Sequence, residues 1–135
     1  MRNPAVQEIL DKHVDNIAGV RGAVVVSSDG LHLYWSHFDE ATAERRAPIG
    51  ASLGSLARRV AAEEGAGAVR RTMVEMEDGF FIVAHIGQRS SVAVSTKPEV
   101  DLGIVGYELT LLAKRLHGVL DAEARHQPAV GARRS

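Results

Sequence analysis

Ile49-Gly50-Ala51-Ser52-Leu53-Gly54-Ser55-Leu56-Ala57-Arg58-Arg59-Val60-Ala61 is the stretch on which the fold turns. Ile49, Leu53, Leu56 and Val60 recur at helical spacing, so the segment reads as an amphipathic helix whose narrow apolar stripe is expected to lie on a sheet. Gly50, Gly54, Ala57 and Ala61 repeat the same spacing one residue later, about 100° further round. Two glycines inside a helix cost about 1 kcal/mol each relative to alanine, so a close approach of some other backbone should offset them. Either this row faces a neighbouring element of the same chain, or it meets its own copy across a twofold axis. The third face is polar: Ser52, Ser55, Arg59 and Glu63, with Arg58 at its border.

Asp39 is a good N-cap for this helix and Gly65 a good end. Pro48 removes one internal hydrogen bond, so the helix is either kinked there or restarted with Pro48 in its first turn. Ahead of it, residues 4–18 read as a helix, Asn3 capping and Pro4 leading, with Val6, Ile9, Leu10, His13, Val14 and Ile17 on one face. Ala23-Val24-Val25-Val26 is apolar throughout and reads as a central strand covered on both faces. Ser28-Asp29-Gly30 turns the chain into a second strand in which Leu31, Leu33 and Trp35 alternate with His32, Tyr34 and Ser36.

Beyond Gly65, residues 69–76, 80–86 and 92–96 read as three strands joined at Asp78-Gly79 and Gly87-Gln88-Arg89. Asp101 caps a last helix with a stripe of Leu102, Val105, Leu109, Leu112, Leu116 and Val119. Residues 121–135 lose the periodicity and read as a disordered tail, leaving one domain over 1–120. The predicted architecture is an α+β sandwich in the order helix-strand-strand-helix-strand-strand-strand-helix. Its five-stranded sheet is mainly antiparallel, with helices on both faces. The strand over 69–76 follows the only crossover and is placed at a sheet edge, where Met73, Val74 and Met76 invite pairing and only Arg70 and Arg71 discourage it. Edge pairing beside the glycine-alanine row favours the twofold reading.

The totals exclude several classes of protein. With 135 residues and no cysteine, the chain can bury one core without disulfides, and thiolate metal sites are ruled out. A formal net charge of −1 leaves no footprint for nucleic acid or an anionic membrane. The N-terminus does not read as a signal peptide and no apolar run reaches the ~20 residues of a span, so a cytoplasmic protein without membrane insertion is expected.

No constellation for catalysis emerges. His13, His32, His37, His85, His117 and His126 lack the spacing of a helical metal pair. Glu75, Glu77 and Asp78 cluster at a hairpin and read as a solvated turn. Ser27 and Ser28 have no histidine placed to activate them. Glycines 50, 54, 65 and 67 lack the Lys-Ser/Thr ending of a phosphate loop, so the chain should not itself bind GTP. No cofactor, metal or enzymatic activity is expected. An alternative is a small-molecule sensor, which needs an aromatic-lined cavity; Tyr34, Trp35 and Phe38 are the nearest thing to one.

Three blocks in order, residues 17–30 (IAGVRGAVVVSSDG), 72–80 (TMVEMEDGF) and 101–108 (DLGIVGYE), resemble the Roadblock/dynein-light-chain family, most closely its actinobacterial members from conservon operons. There a Roadblock protein accompanies a sensor-kinase-like protein, a small partner protein and a Ras-like GTPase. The resemblance implies a non-catalytic homodimer, built on the middle helix and third strand, that regulates or scaffolds a Ras-like small GTPase, with a sensor-kinase-like protein as a further partner. On this sequence the dimer residues would be Gly50, Gly54, Ala57, Ala61, Thr72, Met73 and Val74. The surface for the GTPase would be Ser52, Ser55, Arg58, Arg59 and Ala62. Arg58 and Arg59 could also be read as an arginine finger, but a platform that orders the GTPase switch segments is the more plausible role.

Overall fold

A computed structural model, describing residues 2–125, contains the elements in the predicted order. They are α1 (Pro4–Asp15), β1 (Val20–Ser27), β2 (His32–Ser36), α2 (Glu40–Glu64), β3 (Thr72–Met76), β4 (Gly79–Ile86), β5 (Ser90–Thr96) and α3 (Leu102–Arg125). The sheet order is β2-β1-β5-β4-β3. Every strand pair is antiparallel.

Each boundary has a local cause. Asn3 accepts a hydrogen bond from the Ala5 amide at the start of α1. Asp39 does the same for Thr42 in α2, and Gly65 closes α2 in the left-handed region at φ 61. Pro48 lies inside an unbroken α2 starting at Glu40, which removes the reading of a separate turn followed by a fresh helix. β1 is longer than the apolar core suggested and β3 shorter, since Val69, Arg70 and Arg71 remain outside the strand. The last helix runs on to Arg125, five residues into the stretch expected to be a tail. The remainder of that stretch, 126–135, lies outside the described residues.

The pleat of β1 divides the core in two. Ala23 and Val25 face α1 and α3, meeting Val6, Leu10 and Val14 from one and Val105, Leu109, Leu112 and Leu116 from the other. Val24 and Val26 face α2 and meet Ala43 and Ala47, with Phe81, Val83 and Ala93 alongside. A polar chain centred on buried His13 ties the two terminal helices together. Arg115 can only donate, so His13 Nε2 accepts from its Nη1 at 3.1 Å, and His13 Nδ1–H donates to Glu108 at 2.8 Å.

The two sheet edges differ. Along β2, the Gln7 side-chain amide donates to the Trp35 carbonyl at 2.9 Å. Neighbouring Tyr34 and Trp35 point to opposite faces, yet the Arg2 guanidinium lies 5.5 Å from one ring and 4.0 Å from the other. Arg2 therefore drapes across that edge. β3 pairs only with β4, and Met73, Val74, Glu75 and Met76 are exposed along it.

Candidate functional site

The face of α2 that meets the sheet is the reverse of the one expected. Ala43, Ala47, Gly50 and Gly54 are its buried residues. Ile49, Leu56 and Val60 are 50%, 56% and 61% exposed, and Leu53 is only partly covered. The reason is separation. A side chain begun at Gly50 would meet the Ala93 Cβ at 3.1 Å, and one begun at Gly54 would meet His85 Cε1 at 3.1 Å and Ser91 Oγ at 3.3 Å. The helix rides so near the strands that only hydrogen or methyl fits beneath it, and the bulkier stripe is turned out onto a flank. Gly50 and Gly54 thus meet the protein's own sheet, which corrects their assignment to an interface between copies. Ala57 and Ala61, half-buried, border the same contact.

Two surfaces remain on α2. One flank carries Ile49, Leu56 and Val60. At its C-terminal end, Ala57, Val60 and Ala61 border a groove that runs on to Thr72 and Met73 of β3. Val74 is registered with Phe81 and so lies on the α2 side of the sheet; Met73, registered with Ile82, lies on the other. The α2 flank and Val74 thus give an apolar strip beside an unpaired strand edge, with Met73 on its far side.

The other flank carries Ser52, Ser55, Arg59 and Ala62, all exposed. Ser52 and Ser55 share a shallow groove with the β1–β2 turn at Ser28, Asp29 and Gly30. Arg58 is set apart from them. Its guanidinium donates to the Gly87 carbonyl and to Gln88 Oε1, each at 2.9 Å, which pins it to the β4–β5 turn. An arginine so engaged is not free to act as a finger.

His85 is the residue whose setting the sequence reading missed. It sits under Gly54, its Nδ1 3.4 Å from Ser91 Oγ, and its Nε2 is buried without a partner. Loss of water around the ring, then the positive charge of Arg58, pushes its pKa below the ordinary histidine range. Its sequence position gave no signal of this, since only the fold brings it beneath Gly54.

Two of the three aromatic residues near the end of β2 are engaged within the fold. Phe38 covers Gly22, where an added Cβ would collide with its ring, and Tyr34 receives the Asn3 amide on its hydroxyl at 2.9 Å. Among the described residues there is no group of three or more histidine or acidic side chains able to hold a metal ion, and no helix is long and apolar enough to cross a membrane.

The described residues thus form a helix-flanked antiparallel sheet with an apolar strip beside one edge and a polar flank on α2. The Roadblock/LC7 domain family model matches residues 6–96, and the chain belongs to that family. A Roadblock/LC7 domain from Streptomyces avermitilis superposes with a TM-score of 0.79 at 28% identity, covering 84% of this chain and 96% of that one. MglB of Myxococcus xanthus shares the fold, with a TM-score of 0.80 at 13% identity over 90% of this chain and 99% of its own. An uncharacterised protein of Methanocaldococcus jannaschii, MJ1340, is 29% identical over 98 residues, 73% of this chain and 85% of that protein.

Proposed function

We propose that this protein acts as a homodimer and regulates or scaffolds a Ras-like small GTPase without itself performing catalysis. The observation that carries the reading is the exposed strip of Ile49, Leu56 and Val60 on α2, beside the bare β3 edge with Met73, Val74 and Met76. Exposed apolar side chains next to unpaired strand backbone suit a second copy, which would cover the helix flank and continue the sheet. The interface residues of this proposal are therefore Ile49, Leu56, Val60, Thr72, Met73 and Val74, with Ala57 and Ala61 at its border. Pairing α2 with its symmetry mate would set two polar flanks side by side. Ser52, Ser55, Arg59 and Ala62 would then face the GTPase, while Arg58 would brace the turn at Gly87. A sensor-kinase-like protein is the further partner this reading implies.

Such a regulator acts by selecting one conformation of the GTPase switch segments, which changes hydrolysis or exchange. The test is single-turnover GTP hydrolysis and nucleotide exchange by a purified Ras-like GTPase from the same genome, with and without this protein. Binding that favours one nucleotide state, weakened by roughly tenfold in Ser55→Glu/Arg59→Glu with the fold intact, is the expected result. Absence of binding to any such GTPase in either nucleotide state would overturn the proposal.

A further inference from the structure

The face of the sheet away from α2 holds a second surface that the GTPase reading does not use. Between α3 and the start of β3 runs a groove floored by Ala84 and Leu109, with Tyr107 on its wall and Arg70, Arg71 and Lys114 around its rim. Tyr107 is 65% exposed, the most open of the large apolar side chains among the described residues. Ile104, one turn before it on α3, is 46% exposed.

The Arg71 guanidinium lies beside Gly106 of α3. A side chain begun at Gly106 would come within 2.8 to 3.1 Å of the Arg71 guanidinium, so the arginine lies flat against the helix where Gly106 leaves room. Among the described residues the ion pairs join His13 to Glu108, His32 to Glu40 and His37 to Asp15; Arg70, Arg71 and Lys114 enter none. Three cations without a carboxylate thus gather round an apolar trough, in a chain whose net charge is −1.

We infer that this groove docks an acidic amphipathic segment of a partner protein, its apolar side chains against Tyr107 and Leu109 and its carboxylates on Arg70, Arg71 and Lys114. The concave shape between a helix and a strand edge fits a ridge of side chains rather than a flat bilayer. Three cations also give only a weak hold on lipid headgroups, at about 1 kcal/mol each. The chain's own residues 126–135 carry Arg133 and Arg134 and no acidic side chain, so their charge does not complement the rim. The inference requires neither the dimer nor the GTPase.

The test titrates the full-length, isotope-labelled protein with a synthetic peptide of about fourteen residues, leucines at i, i+3, i+4 and i+7 and glutamates at most other positions. Its control carries lysine for every glutamate. Mixed phosphatidylserine–phosphatidylcholine vesicles form a separate arm. The glutamate peptide is expected to bind and to shift the backbone amide signals of Arg71, Gly106 and Tyr107. It should lose affinity as salt rises, and lose roughly tenfold in R70E/R71E/K114E at unchanged melting temperature. Should that variant be poorly folded, Lys114→Glu and Tyr107→Ala alone, both at exposed positions, should each weaken binding several-fold. Absence of binding overturns the inference, as does equal binding of the lysine peptide or indifference to these substitutions. Vesicle binding through the same residues without peptide binding overturns it in favour of a membrane.

Discussion

His85 shows how one side chain can register pH through its surroundings. The imidazole is partly buried beneath Gly54, Nε2 has no partner, and Arg58 stands near it, so the charged form is disfavoured in the folded protein. A base whose folded pKa lies below its unfolded one leaves stability untouched while both states are neutral. As pH falls below about 6.5 the unfolded chain takes up the proton first, and stability declines until the folded pKa is also passed. Urea unfolding between pH 7.5 and 5 should therefore show a falling midpoint, and the fall should be shallower in His85→Asn. Identical slopes in the two proteins would remove His85 as the cause. In the sequence this residue was one of six histidines with no distinguishing spacing; only the fold puts a glycine above it and an arginine beside it.

At the scale of elements, the order of helices and strands was legible because caps, turns and periods agree along the chain. Asp39 begins α2, Gly65 ends it, and Asp78-Gly79 falls at the β3–β4 turn. Which side of α2 faces inward was not legible from hydrophobicity. The rule that bulkier apolar residues turn inward fails where a helix crosses its sheet at very short range, because Ala93, His85 and Ser91 leave no room for a side chain. Gly50 and Gly54 therefore belong to the stability of the single subunit. Gly54→Leu forces the helix off the sheet and should lower unfolding free energy by at least about 1–3 kcal/mol. Chemical denaturation at several protein concentrations checks this, since the loss should persist under dilution that separates any dimer. A variant that unfolds like the parent but fails to dimerise would return the glycine to an interface role.

For the whole molecule, the resemblance in three short blocks gave the family, and the arrangement of the sheet and helices agrees with it. The surface that a second copy would cover is a matter of exposure, which no sequence period records. The glycine-alanine row and the bulkier row have the same spacing, and only the packing of α2 tells them apart. Leu56→Asp/Val60→Asp alters side chains already 56% and 61% exposed, so the subunit should keep its fold by circular dichroism. Sedimentation should then give a single subunit for the variant and a dimer for the parent. A dimer that survives both charges would move the interface elsewhere.

The unlike edges of the sheet set a limit on assembly. Arg2 lies over both rings of the Tyr34–Trp35 pair and Gln7 occupies the Trp35 carbonyl, whereas β3 offers its backbone freely. A ribbon open at one end and stoppered at the other can be joined once, head to head. In the proposed dimer it would then have no further docking strand to offer, so growth through the sheet would halt at a closed pair instead of running on into a filament.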